Sequence, residues 1–185
     1  MFLHILSGPG CVHGLAGLSN AMINTWPVIM ISGSSTQADI GRGDFQELDQ
    51  IEAVKPFVKF SAKAKTITDL PQIVSDAVSA TIDRRPGGAY IDIPSNVLHE
   101  TIPEEEAEKL LEGIEPCIPI WKQPFNKLEE FSAPTTDVEN AVRLLRVAKK
   151  PLIVFGKGAA YAHAEGPLLN LIDITRIPFL PTPMG

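Results

Sequence analysis

The sequence predicts an α/β fold of parallel sheets with flanking helices, and three observations carry that expectation. Short apolar runs such as "WPVIMISG", "AYIDIP" and "PLIVF" alternate along the chain with longer stretches of helical periodicity. Glycine- and proline-bearing turns separate the two kinds of segment. The strand runs are largely apolar rather than strictly alternating, as strands covered on both faces of a parallel sheet must be.

The elements follow in order. The opening run "MFLHIL" lacks the basic region of a signal peptide and reads as a core strand. A domain seldom starts in mid-strand, so its natural beginning is expected upstream of Met1. The run meets Ser7-Gly8-Pro9-Gly10, and a helical pattern of small residues is expected from about His13 to Asn24. "WPVIMISG" then reads as a short buried strand closed by a Gly-Ser-Ser turn. "STQADIGRGDFQELDQ" reads as a polar loop leading into a short helix, and "FVKFSAK" as the next strand.

The clearest helix places Leu70, Ile73, Val74, Ala77, Val78 and Ile82 on one face, with Thr68 as N-cap and Pro71 in its first turn. "RRPGG" ends it, and "AYIDIP" supplies a buried strand closed by Pro94. From His99 the chain turns acidic and proline-bearing, which marks residues 99–134 as a linker with a helical turn at Glu104 to Leu111. A second unit begins at 135: a capping box from Thr136 to Glu139 opens a helix whose apolar face holds Ala141, Leu144, Leu145 and Ala148. "PLIVFGKGAAY" is a strand running into a glycine turn, Pro167 to Thr175 is helical, and "IPFLPTPMG" is a last strand that stops abruptly.

The 185 residues carry a net charge of −6, so nothing here offers a basic field to nucleic acid. No apolar run reaches the ~20 residues of a membrane span. Cys11 and Cys117 stand far apart, which argues for a reducing compartment and for buried, inert thiols. His4, His13, His99 and His163 lack metal-ligand spacing, and no metal site is expected.

Ligands of open α/β sheets gather at the carboxyl ends of strands. Around Ser7 to His13, proline removes a backbone donor that a phosphate cradle would use. The segment reads equally as a tight strand-to-helix turn, or as a stiff turn under a flat apolar ring. "GKGAAY" lacks the third small residue of a dinucleotide fingerprint, leaving a nucleotide near Lys157 or a plain turn. Asp44, Gln46, Glu47, Asp49 and Gln50 crowd together, for acid–base work or, more commonly, as a solvated polar face. Arg84 and Arg85 sit where arginines oppose a helix dipole.

Taken together, "SGPGCVHGLAGLSNAMINTWPVIMISGSS", "GDFQELDQ", "RRPGGAYIDIP" and "PLIVFGKGAAYAHAE" with "FLPTPMG" resemble thiamine-diphosphate-dependent enzymes of the acetolactate synthase type. Within them the chain looks most like the 2-hydroxyacyl-CoA lyase and oxalyl-CoA decarboxylase family. The resemblance implies that residues 1–98 are the latter part of a pyrimidine-binding domain, and that 135–185 open a central domain binding CoA or ADP.

It implies that Gly8, Pro9 and His13 lie near the aminopyrimidine of the cofactor. Phe45 and Gln46 match the active-site pair on a short helix beside the thiazolium. Oxalyl-CoA decarboxylase carries tyrosine and glutamate there, so this pair sides with the lyase. Arg85 and Lys157 match positions that contact the CoA nucleotide. The implied reaction cleaves a 2-hydroxyacyl-CoA to an aldehyde and formyl-CoA, in a homo-oligomeric, commonly peroxisomal enzyme using thiamine diphosphate and Mg2+. The glutamate that protonates the pyrimidine, the magnesium-binding motif and the targeting address are all expected outside Met1 to Gly185. The chain alone is therefore expected to be inactive.

Overall fold

The computed structural model describes residues 2–5, 7–112 and 133–183. Cys117 and most of the expected linker lie outside the described residues. The chain divides into two compact units, Met1–Pro119 and Ile120–Gly185.

In the first unit, strands β1 (Phe2–Ile5), β2 (Val28–Ser34), β3 (Phe60–Lys63) and β4 (Gly88–Pro94) form a four-stranded sheet in the order β1-β2-β4-β3. Every pairing is parallel, with Met30 beside Tyr90 and Ser32 beside Asp92 in register. Helix α1 (Pro9–Ile23) crosses from β1 to β2, and α3 (Leu70–Ile82) from β3 to β4. Between β2 and β3 the chain makes a polar loop, the one-turn helix α2 (Gln50–Val54) and a short 3-10 turn.

Strand alternation sorts the core into two layers. On one face Met30 and Tyr90 pack with Cys11 and Leu18 of α1 and Val54 of α2. On the other, Ile29, Ala89 and Ile91 pack with Ala77 of α3, with Ile73 and Val78 alongside. Burial of each large side chain contributes about 1.5–3 kcal/mol, which makes β4, buried along nearly its whole length, the spine of the unit.

Three local expectations change. Helix α1 begins at Pro9, not His13, because Gly8 with φ 56° turns the chain and proline sits at the first helical position, where it has no donor to lose. Helix α3 is entered through a 3-10 turn whose capping box joins Thr66 to Asp69, so Thr68 is not the cap. Its last carbonyls at Ala80 and Asp83 accept from Lys59 Nζ. After β4, α4 (Ser95–Leu98) and α5 (Glu104–Leu111) follow, the latter where the helical turn is expected.

In the second unit, β5 (Ile153–Phe155) and β6 (Phe179–Pro181) pair in parallel, with α6 (Thr135–Val147) before them and α7 (Lys157–Tyr161) and α8 (Glu165–Thr175) between. Phe155 and Phe179 stack at 5.9 Å across the pair. Pro134 occupies the N-cap of α6 without a side-chain bond, so Thr136 falls inside the first turn and the expected capping box does not form. The apolar side of α6 is exposed in this unit, Leu144 at 61%.

Candidate functional site

The carboxyl end of the first sheet gathers the turn after β1, the end of β2 and the loop before α2. The loop is folded by its own carboxylate. Glu47 accepts the backbone N–H groups of Gly41, Gly43 and Asp44 at 2.6, 3.0 and 3.1 Å. These bonds, Gly41's foremost, hold its carboxyl below the usual carboxylate range. Asp49 in turn caps α2, accepting Glu52 N–H at 3.1 Å.

Both acids are thus committed to backbone, and the loop leads into α2 as expected, but the Phe45–Gln46 pair does not lie on a short helix as the resemblance implies. Phe45 and Gln46 ride on a turn instead, Gln46 in the left-handed region at φ 57°. Phe45 is 80% exposed.

That turn presses onto the one after β1. Ser7 Oγ donates to Gln46 Oε1 at 2.9 Å. A Cβ on Gly8 would stand 2.5 Å from the Gln46 carbonyl oxygen and 2.8 Å from its Cβ. Ser7 and Gly8 on one turn and Gln46 on the other, separated by nearly forty residues of chain, therefore form one cluster, with Pro9 and Phe45 next to them in sequence. His13 stands further along α1, exposed.

Beneath the cluster lies a residue that pattern reading misassigned. Gln50, expected on a solvated face, is 1% exposed. Its Oε1 accepts the Gly8 N–H at 2.7 Å, and its Nε2 donates to Gly33 O at 2.9 Å and to Tyr90 Oη at 3.0 Å. The available signal was its spacing: Gln50 and Val54, one turn apart, share the buried face of α2. Deeper on the same face, Asp92 is 1% exposed, with Lys63 Nζ 3.6 Å from Oδ2.

Burial raises the Asp92 carboxyl despite that lysine and the neighbouring Ser34 hydroxyl, while Asp92 Oδ1 and Ser34 Oγ lie outside hydrogen-bonding geometry. Burial, then the charge of Asp92, pushes the Tyr90 hydroxyl up, and burial does the same to the Cys11 thiol, 3.8 Å from Tyr90 Oη. Cys11 is thus buried and protonated, as expected of an inert thiol.

Arg85 is elsewhere. Its Nη2 lies 3.4 Å from the carbonyls of Met22 and Ile23, the last residues of α1, at the amino end of the sheet. It opposes a helix dipole, though that of α1 rather than of the helix it follows. Lys157 is the first residue of α7, directly after Gly156 at the carboxyl end of β5, with Nζ 5.4 Å from the Tyr161 ring centroid. Gln46 and Lys157 each stand at the carboxyl end of the sheet in their own unit. An apolar cavity of about 330 Å³ lies beside α7, lined by Phe155, Ala159, Leu168, Ile172 and Phe179 among others.

The model of the "Thiamine pyrophosphate enzyme, N-terminal TPP binding domain" matches residues 2–53, and that of the "Thiamine pyrophosphate enzyme, central domain" matches 138–185. The chain belongs to the thiamine pyrophosphate enzyme family. Within that family it is 56% identical to a 2-hydroxyacyl-CoA lyase of Arabidopsis thaliana over 97% of this chain and 30% of the relative. It is 38% identical to 2-hydroxyacyl-CoA lyase 1 of Homo sapiens over 98% of this chain and 29% of that protein. With the oxalyl-CoA decarboxylase of Escherichia coli (strain K12) it shares 40% identity over 97% of this chain and 30% of the enzyme. The chain thus spans about a third of the length of the curated relatives it matches.

As a member of the thiamine pyrophosphate enzyme family, the chain can be tested for fit to the cofactor one end at a time. Ser7 hydroxyl, the Gln46 amide and the exposed Phe45 ring combine polar groups with a flat apolar face, beside Gly41 and Gly43, where an added Cβ meets nothing within 4 Å. That donor set suits a planar heteroaromatic ring. For the metal that accompanies the diphosphate, the described residues offer no group of three or more His, Cys, Asp or Glu side chains.

Proposed function

We propose that this chain forms part of a thiamine-diphosphate-dependent carbon–carbon lyase that cleaves a 2-hydroxyacyl-CoA to an aldehyde and formyl-CoA. The observation that carries the reading is the 56% identity to a 2-hydroxyacyl-CoA lyase, sustained over 97% of the chain. Residues 1–98 would be the latter part of the pyrimidine-binding domain, 99–134 a linker, and 135–185 the first part of the central CoA- or ADP-binding domain. At 30% of that relative's length, the chain by itself is expected to be inactive.

When bound, thiamine diphosphate supplies the nucleophilic carbon and the electron sink. Gly8, Pro9 and His13 would border its aminopyrimidine, and Phe45 would present a flat face to the reacting end. Gln46 would orient the substrate hydroxyl or carbonyl by hydrogen bonding. An amide holds a group in place but takes no proton at neutral pH, so Gln46 itself carries no proton transfer.

Lys157 would pair with a phosphate of CoA through a charge-assisted bond; Arg85, which the resemblance also matches to a CoA-contacting position, faces the carbonyls of Met22 and Ile23. Magnesium, with ligands outside the chain, homotetramer assembly, a peroxisomal setting and fatty acid alpha-oxidation complete the reading by family resemblance.

Two other readings have specific support. The 40% identity to an oxalyl-CoA decarboxylase stands beside 38% to the human lyase, so a decarboxylase is the runner-up, which Gln46 opposes. A CoA- or ADP-binding module without catalysis would need only the Lys157 turn. A chimera decides among them: this chain replaces the aligned segment of the Arabidopsis lyase, and the product is assayed with both thioesters. Aldehyde release from 2-hydroxyacyl-CoA supports the lyase. Turnover of oxalyl-CoA alone, or CoA binding without turnover, would overturn it.

A further inference from the structure

We propose that Gln50 is a positioning residue for the Gly8–Gln46 cluster, fixing the presentation of Gln46 without touching a ligand itself. The inference rests on the reading of Gln46 as a substrate-facing residue, but its geometric content stands apart from that reading. Gln50 uses its whole side chain: the carbonyl accepts from Gly8 N–H, and both amide hydrogens have acceptors, Gly33 O and Tyr90 Oη. These partners belong to the entry of α1, the end of β2 and the middle of β4, elements that local sequence cannot hold together.

The consequence for Gln46 follows from contact. Gly8 is locked from one side by Gln50, and its Cα meets the Gln46 backbone on the other, too closely for any side chain. Gln46 holds a left-handed backbone that a non-glycine residue disfavours, so a surrounding structure must impose it. Glu47 frames the loop from within, and the Gly8 turn, together with the Ser7 hydroxyl on Gln46 Oε1, presses on Gln46 from the other side. Release of Gly8 therefore removes the constraint that comes from the β1 turn.

The test is nuclear magnetic resonance of the full 185-residue chain without cofactor, comparing wild type, Gln50→Leu and Gln50→Glu. Glutamate keeps an acceptor for Gly8 N–H; leucine keeps none. In Gln50→Leu the Gly8 amide proton is expected to move upfield. Its exchange should accelerate roughly tenfold beyond any change at Ile91, the equivalent of one net hydrogen bond. The Gln46 Cα and Cβ shifts should leave their left-handed values in the same variant.

Gln50→Glu, at a pH where its buried carboxyl is protonated and so donates to Gly33 O while accepting from Gly8 N–H, should restore both signatures, which a merely structural loss would not do. Unchanged Gln46 shifts in a folded Gln50→Leu variant would overturn the proposal. Should that variant not fold, Gln50→Glu decides: loss of the Gly8 and Gln46 signatures there overturns it, and retention supports it. Because no cofactor or substrate enters these measurements, their failure leaves the lyase reading to its own assay.

Discussion

The carbonyl oxygen of Gln46 stands 2.5 Å from where a Cβ on Gly8 would be, so glycine at position 8 and the turn at position 46 are one structural requirement. Gly8 also needs its own left-handed backbone, at φ 56°. Gly8→Ala is expected to destabilise the fold by about 2–3 kcal/mol, from the clash and the strained φ together. Urea denaturation followed by circular dichroism measures it, and a change under 0.5 kcal/mol would mean the two turns do not meet.

The loop bearing Phe45 and Gln46 should respond to acid in a defined direction. Glu47's folded pKa is depressed, so its contribution is present above the unfolded value of 4.5 and fades as pH falls through the lower folded value. Amide exchange at Gly41, Gly43 and Asp44 is therefore expected to quicken, relative to core amides, below pH 4.5. Glu47→Gln should show the quickened exchange already at neutral pH.

Asp92 should act with the opposite sign. Burial raises its folded pKa, so its contribution is complete below the unfolded value of 3.8 and is lost as pH rises through the folded value. The stability of wild type relative to Asp92→Asn is expected to increase as pH falls from 7 toward 3.8. A stability difference that is flat across this range contradicts a buried carboxylate penalised by its surroundings.

Much of the fold is legible in the sequence because its signals are local. The periodicity of Leu70 to Ile82 and the run at "AYIDIP" name elements that the structure keeps. The start of α1 was obscured because Gly-Pro-Gly serves a turn and a helix entry alike, and only the φ at Gly8 separates them. The arrangement around Gly8 was not legible in the sequence. Gly8 and Gln46 meet across the fold, and Gln50 looks polar and exposed until its partners on α1, β2 and β4 are known. Glu47 resembles a candidate acid in sequence, whereas its three backbone donors make it part of the loop's frame.

Nucleotide binding at the second unit has its own test. CoA is expected to raise the Tm of the chain, and Lys157→Ala to abolish the rise, since one ammonium lost from a phosphate site removes about 1.5–3 kcal/mol of binding. A shift that survives the substitution would place the CoA phosphates away from Lys157.

The most direct measurement is the turnover of 2-hydroxyacyl-CoA by the Arabidopsis chimera carrying Gln46→Ala. If Gln46 faces the reacting carbonyl, kcat falls roughly a hundredfold while KM for the thioester changes little, the pattern of an interaction made in the transition state. A folded chimera whose kcat stays within about twofold of the unsubstituted one would contradict it.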